Sequence, residues 1–151
     1  MASAGHSRLW GGRFGEGPHR LLQRLNDSFS FDRELFGAEI AASRAWAGAL
    51  AKAGALTPAE HRRLVAALAK VAGDAAARGL PADGFEDVHS FVEAALKKRI
   101  GPLAGKLHAG RSRNDQVATD FRLWLKAALA EARALALDLA TALCARAAAA
   151  A

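Results

Sequence analysis

The sequence predicts an all-α protein, with an N-terminal helical domain that runs into the first long helix of a helical bundle. Three observations carry this. Hydrophobic residues fill 52% of the 151 positions, and much of that share is alanine, a strong helix former and a small core filler. Apolar residues recur at spacings of three and four, the helical period, and no alternating strand pattern stands out. Helix start and stop signals fall at the ends of those periodic stretches. A core so rich in alanine needs closely spaced helices, or apolar surface borrowed from a partner.

Residues 1–20 are glycine-rich, hold Trp10 and Phe14 among charges, and read as a mobile arm. Phe36, Ile40, Ala47 and Leu50 then mark a helix from about Asp32 to Gly54. Thr57-Pro58-Ala59-Glu60 is a helix start with Thr57 as N-cap, Pro58 at the first helical position and Glu60 closing a capping box. The apolar face of that helix is Leu64, Leu68 and Val71, and it ends before Gly79 and Pro81. The stripe Val88, Phe91, Val92, Ala95 and Leu96 predicts a helix to about Arg99, stopped by Gly101-Pro102. Gly105 and Gly110 bracket a loop, and Ser112 and Asp115 have capping-box spacing.

From Val117 the pattern continues through Phe121, Trp124, Ala128, Leu135, Leu139 and Leu143 without a breaker. A helix of more than 30 residues is about 50 Å long. The short helices before it cannot cover it, so it asks for long partners in a bundle. The terminal run of alanine at 147–151 suggests a chain cut inside a helix. These readings divide the chain into an arm, 1–20, a helical domain, 21–110, and the start of a bundle domain, 111–151. The unpartnered stripe predicts self-association or poor solubility.

Lys and Arg total 21 against 15 Asp and Glu, a net charge of +6. The two signs are mixed along the chain and no block of five basic residues occurs, which disfavours a nucleic-acid binder. Cys144 is the one cysteine, so an internal disulfide framework and a cysteine metal cage are both excluded. Met1 to Arg8 hold no apolar core of a secretory signal, and the most apolar run, Ala134 to Ala145, is interrupted by Asp138. The expectation is a cytoplasmic protein that engages neither membrane nor nucleic acid.

The chemistry concentrates in Gly105-Lys106-Leu107-His108-Ala109-Gly110-Arg111-Ser112-Arg113-Asn114-Asp115-Gln116. A polar loop runs there into a helix N-terminus, where free N–H groups and the helix dipole favour an anion. Ser112 and Asn114 add neutral donors, and Arg111 and Arg113 add guanidinium groups suited to a carboxylate. The plainer reading is a capped helix with exposed arginines.

Together with Leu9-Trp10-Gly11-Gly12-Arg13-Phe14, Asn26-Asp27-Ser28, Asp32-Arg33 and Glu86-Asp87-Val88-His89, this loop closely resembles the argininosuccinate lyases of the fumarase/aspartase superfamily and their lens delta-crystallin relatives. The resemblance is collinear over essentially the whole chain. It implies β-elimination of argininosuccinate to arginine and fumarate, in arginine biosynthesis or the urea cycle, with no metal or organic cofactor. Donors aimed at a carboxylate that takes up charge as the C–H proton leaves are central to such a reaction.

Matched residue by residue, the resemblance implies substrate contacts at Ser28, Ser112, Arg113 and Asn114, with Asp87, His89 and Arg111 supporting the site. It implies no catalytic residue in this chain: the family's Gly-Tyr-Thr-His-Leu-Gln and Gly-Ser-Ser-x-Met-Pro segments are absent. Family active sites are assembled from separate regions donated by different subunits of a homotetramer, so this chain is expected to be inactive alone. The alternative is a non-catalytic structural homologue of the delta-crystallin kind. Taken singly, Ser28 also fits a turn or cap serine, Asp87 an N-cap, and His89 a structural histidine. Trp10 and Trp124 read as packing residues, Lys52 and Lys106 as surface charges, and His108 as a partner for its own loop.

Overall fold

The computed structural model describes residues 19–150, and all of its regular elements are helical. In order they are α1 (Arg20–Asn26), α2 (Phe29–Asp32), a 3₁₀ turn (Arg33–Leu35), α3 (Phe36–Lys52), α4 (Pro58–Arg78), α5 (Val88–Ile100), a 3₁₀ segment (Gly101–His108) and α6 (Arg113–Ala150). α3 packs on α4 and on α6, α4 packs on α5, and the second 3₁₀ segment lies against α5. Residues 1–18 of the arm predicted at 1–20, Trp10 among them, lie outside the described residues, and Arg20 opens α1.

The punctuation read from the sequence operates where it was placed. Glu60 N–H donates to Thr57 Oγ1 at 3.2 Å, and Thr57 N–H donates to Glu60 Oε2 at 3.0 Å, closing the capping box. α4 then runs to Arg78, and Gly79 ends it at φ 76°, a left-handed conformation that glycine adopts without Cβ strain. Thr57→Ala should cost about 1 kcal/mol of stability through loss of this cap, read as a shift of the urea midpoint. An unchanged midpoint would mean that α4 is held by its packing alone.

Two expectations need correction. The helix predicted from Asp32 begins at Phe36, preceded by α2 and a 3₁₀ turn, because the Asp32 carboxylate is taken by other donors and does not cap. The loop predicted between Gly105 and Gly110 is in large part the end of a 3₁₀ segment, Gly101–His108, in which Leu103, Ala104 and Leu107 are buried. Nothing in the sequence reading anticipated α1, whose Leu21, Leu22 and Leu25 are exposed.

The main core joins Ile40, Ala47 and Leu50 of α3 to Leu64, Leu68 and Val71 of α4, Val92 and Leu96 of α5, and Leu103 and Leu107. Alanine at 47, 67 and 104 lets the helices approach closely, so a few leucines fill the space. A second cluster gathers Phe29, Leu35 and Val88, with Phe85, Phe91 and Trp124 packed against it. The Phe85 and Phe91 rings meet edge-on at 5.2 Å between centroids. This cluster fixes the start of α5 against α2 and α6, and so positions the site.

α6 is 38 residues long, about 57 Å. Its first turns pack on α3, but every residue from Leu129 to Ala150 is exposed. Among the described residues, no helix is long and apolar enough to cross a membrane.

Candidate functional site

Two layers meet where α2, α5 and the start of α6 converge. The outer layer is built on residues 86–88. Ser28 N–H donates to the Glu86 carbonyl at 2.7 Å, and Ser28 Oγ donates to Asp32 Oδ2 at 2.6 Å. Asp32 Oδ1 accepts the Val88 N–H at 3.0 Å, and burial raises the Asp32 carboxyl above its usual range despite the Ser28 and Val88 bonds. Asp87 caps α5 by accepting the Ser90 N–H at 2.6 Å. Ser28 therefore stands at the N-cap position of α2, but its hydroxyl ties α2 to Asp32 and leaves α2 without a side-chain cap.

Arg113, the first residue of α6, closes this layer. Its Nη1 donates to Gln116 Oε1 at 2.8 Å and its Nη2 to Glu93 Oε2 at 3.3 Å, while Nε lies 4.0 Å from Asp87 Oδ2. Glu93 also pairs with His108 at 3.2 Å, and that bond holds its carboxylate below the usual range against the opposing effect of burial. Ser112 Oγ accepts the Asn114 N–H at 3.1 Å, and Asp115 Oδ2 accepts the Ser112 N–H at 3.1 Å, a reciprocal cap. The side chains of Ser112 and Asn114 are exposed.

The inner layer is a polar cluster inside the helix junction. His89 Nδ1 lies 3.2 Å from Glu39 Oε2 and 3.3 Å from Asp120 Oδ2, and all three residues are at most 2% exposed. Glu39 accepts from Ser43 Oγ at 2.7 Å and from Gln116 Nε2 at 2.7 Å. Burial pushes the Glu39 carboxyl up, but hydrogen bonds from His89, Asp120, Gln116 and Ser43 outweigh it and hold the group down at about 2. Burial and the neighbouring Glu39 carboxylate push Asp120 up to about 9. The two shifts run in opposite directions: the surroundings favour the ionised form of Glu39 and the protonated form of Asp120. The half-buried Arg111 guanidinium reaches Ser43 Oγ at 3.5 Å and adds positive charge beside Glu39 and Asp120. Glu39, His89 and Asp120 also place ligand atoms within 4.8 Å of one another, as a metal site would, with the half-buried Arg111 guanidinium as positive charge nearby.

Of the residues singled out in the sequence, the structure brings Ser28, Asp87 and Arg113 together around residues 86–88 and sinks His89 and Arg111 beneath them. Ser112 and Asn114 stand at the head of α6, and no hydrogen bond joins them to Ser28 among the described residues. His108 reaches Glu93 on α5, outside its own loop, and Lys106 pairs with Glu60 across to α4. Sequence reasoning missed Glu39, Glu93 and Asp120 and gave Gln116 no role. One signal was available: Glu39 and Asp120 stand beside the apolar stripes of their helices, where a charge has to be satisfied internally.

This all-α scaffold with an anion-competent helix start falls in a recognised class: the family described as Lyase matches residues 12–151, and the chain belongs to that family. The relatives are more specific. The chain is 52% identical over 120 residues to the argininosuccinate lyase of Pseudoalteromonas atlantica, covering 78% of this chain and 26% of that protein. It is 48% identical over 128 residues to that of Alteromonas mediterranea, covering 83% and 28%, and 52% identical over 118 residues to that of Chloroflexus aggregans, covering 78% and 26%. The chain therefore spans about a quarter of the length of the curated relatives it matches.

Proposed function

We propose that this chain supplies one wall of an argininosuccinate lyase active site, in which argininosuccinate is cleaved to arginine and fumarate. In this reading Ser28, Ser112, Arg113 and Asn114 contact the substrate, and Asp87, His89 and Arg111 hold them. The observation that carries it is the α6 start: exposed Ser112 and Asn114 on a helix N-terminus, locked by Arg113 to residues 87 and 93. Rigid neutral donors at a positive helix end suit a carboxylate that gains charge as a neighbouring C–H proton leaves. The elimination also needs a base, and none of the residues proposed to touch the substrate is one: Arg113 is a cation and Ser28, Ser112 and Asn114 are neutral, while His89 is buried in its own cluster and Asp87 is engaged as the α5 cap.

The exposed leucines along α6 support assembly of the working enzyme as a homotetramer whose subunits share active sites; the same reading puts that enzyme in the cytoplasm and gives it no cofactor. Residues 21–110 and 111–151 would then serve as the site-bearing domain and the first bundle helix. The test is a graft: the matching quarter of the Pseudoalteromonas atlantica enzyme is replaced by this chain, and fumarate release from argininosuccinate is measured. Activity in the graft and none in the purified chain is the expected result. A graft that assembles like its parent but releases no fumarate would overturn the enzymatic reading and favour a non-catalytic structural homologue.

A further inference from the structure

Among the described residues, Gln116 is the one whose side chain hydrogen-bonds into each layer of the site. Its side chain is 2% exposed, so water does not supply a substitute for either bond. Nε2 donates to Glu39 Oε2 at 2.7 Å, and Oε1 accepts from Arg113 Nη1 at 2.8 Å. The carboxylate fixes which end of the amide faces inward, because an ionised carboxylate only accepts and a guanidinium only donates. A reversed amide would set oxygen against oxygen on Glu39 and N–H against N–H on Arg113. Glu39 itself is held by Ser43 from its own helix and by His89 from α5, so its carboxylate cannot turn away freely.

We propose that Gln116 is a positioning residue: oriented by Glu39, it aims the Arg113 guanidinium at Glu93 and Asp87 and so sets the start of α6 against residues 86–88. Its value for catalysis rests on the reading of that start as the substrate wall, whereas its effect on Arg113 does not. Removal of the acceptor leaves Arg113 with one hydrogen bond to Glu93 and a loose ion pair to Asp87 at 4.0 Å, on a side chain with many rotamers. Ser112 and Asn114, the residues on either side of Arg113, then lose the anchor that Arg113 gives them on Glu93 and Asp87.

Two variants of similar size separate positioning from packing. Gln116→Met fills the space but offers Arg113 no comparable acceptor. Gln116→Glu keeps an acceptor for Arg113 but sets a second carboxylate against Glu39, beside the Asp120 carboxyl. A residue that only packs α6 on α3 would tolerate Met and suffer from Glu in every property. A positioning residue separates the properties: stability falls in the order Gln, Met, Glu, whereas the order of Arg113 is kept by Glu and lost in Met.

The experiment is a side-chain nitrogen–proton NMR spectrum of the arginine-labelled chain with both variants, alongside urea midpoints. The expected result is a distinct Arg113 guanidinium signal in the parent and in Gln116→Glu, and its collapse by free rotation in Gln116→Met. A sharp signal in Gln116→Met, or its loss in Gln116→Glu while the fold persists, would overturn the proposal. In the graft described above, kcat for argininosuccinate should fall about tenfold in Gln116→Met with KM little changed, because the displaced donors act on charge that develops as the proton leaves; tenfold is the scale of one charge-assisted hydrogen bond. An Arg113 signal that behaves as expected beside an unmoved kcat would uphold the positioning role and sink the substrate-wall reading instead.

Discussion

At pH 8 the Asp120→Asn variant should be more stable than the parent chain, with the advantage shrinking toward pH 5. The sign follows from the buried cluster. Burial and Glu39 raise the folded Asp120 to about 9, whereas an unfolded Asp titrates near 4. Between those values the unfolded chain has released a proton that the folded chain keeps, so stability falls as pH rises. The contribution is fully present below about pH 4 and gone above about 9, at up to about 1.4 kcal/mol per pH unit. Glu39, lowered to about 2, acts in the opposite sense: its contribution is present above its unfolded value and lost as pH falls toward 2. The groups that face Asp120 are Glu39 from α3, His89 from α5, and Arg111 and Arg113 from the loop and the head of α6. Asparagine keeps the shape and a neutral donor, and it does not titrate. Urea denaturation of both proteins at pH 5, 6.5 and 8 checks this, and parallel stability curves would show that Asp120 does not hold the proton.

The same cluster marks the limit of what the sequence discloses. Helix ends are local: Thr57 and Glu60 are three residues apart, as are Asp87 and Ser90, so their caps are readable and are found in place. The loop from Gly105 to Gln116 is likewise continuous, and its residue types point to an anion without any structure. Glu39 is separated from His89 by 50 residues and from Gln116 by 77, and no pattern within α3 names those partners. The helix start expected near Asp32 is displaced for the same reason. The Asp32 carboxylate is recruited by Val88, 56 residues away, and a tertiary hydrogen bond displaces the local one. Position on a helix stripe identifies a charge that must be satisfied, and only the fold identifies what satisfies it.

Replacement of Leu68 by alanine should cost about 2–5 kcal/mol, whereas the same change at Leu139 in the dilute, unassembled chain should stay within about 0.5 kcal/mol. Leu68 is fully buried between α4 and its neighbours, in a core where alanines leave few large side chains to share the space. Deletion there leaves a cavity that close-packed helices cannot collapse around. Set against a total stability of about 5–15 kcal/mol, the loss is enough to populate unfolded chains. Leu139 is 63% exposed and gives up little packing, and alanine is the better helix former. The contrast also tests the assembly proposed for α6. If Leu139→Ala costs as much as Leu68→Ala, something covers the outer half of α6 in solution. A cost that grows with protein concentration would identify that cover as another copy of this chain, because mass action strengthens only an intermolecular contact. A cost near zero at every concentration would leave the stripe bare and remove self-association from the account of this chain.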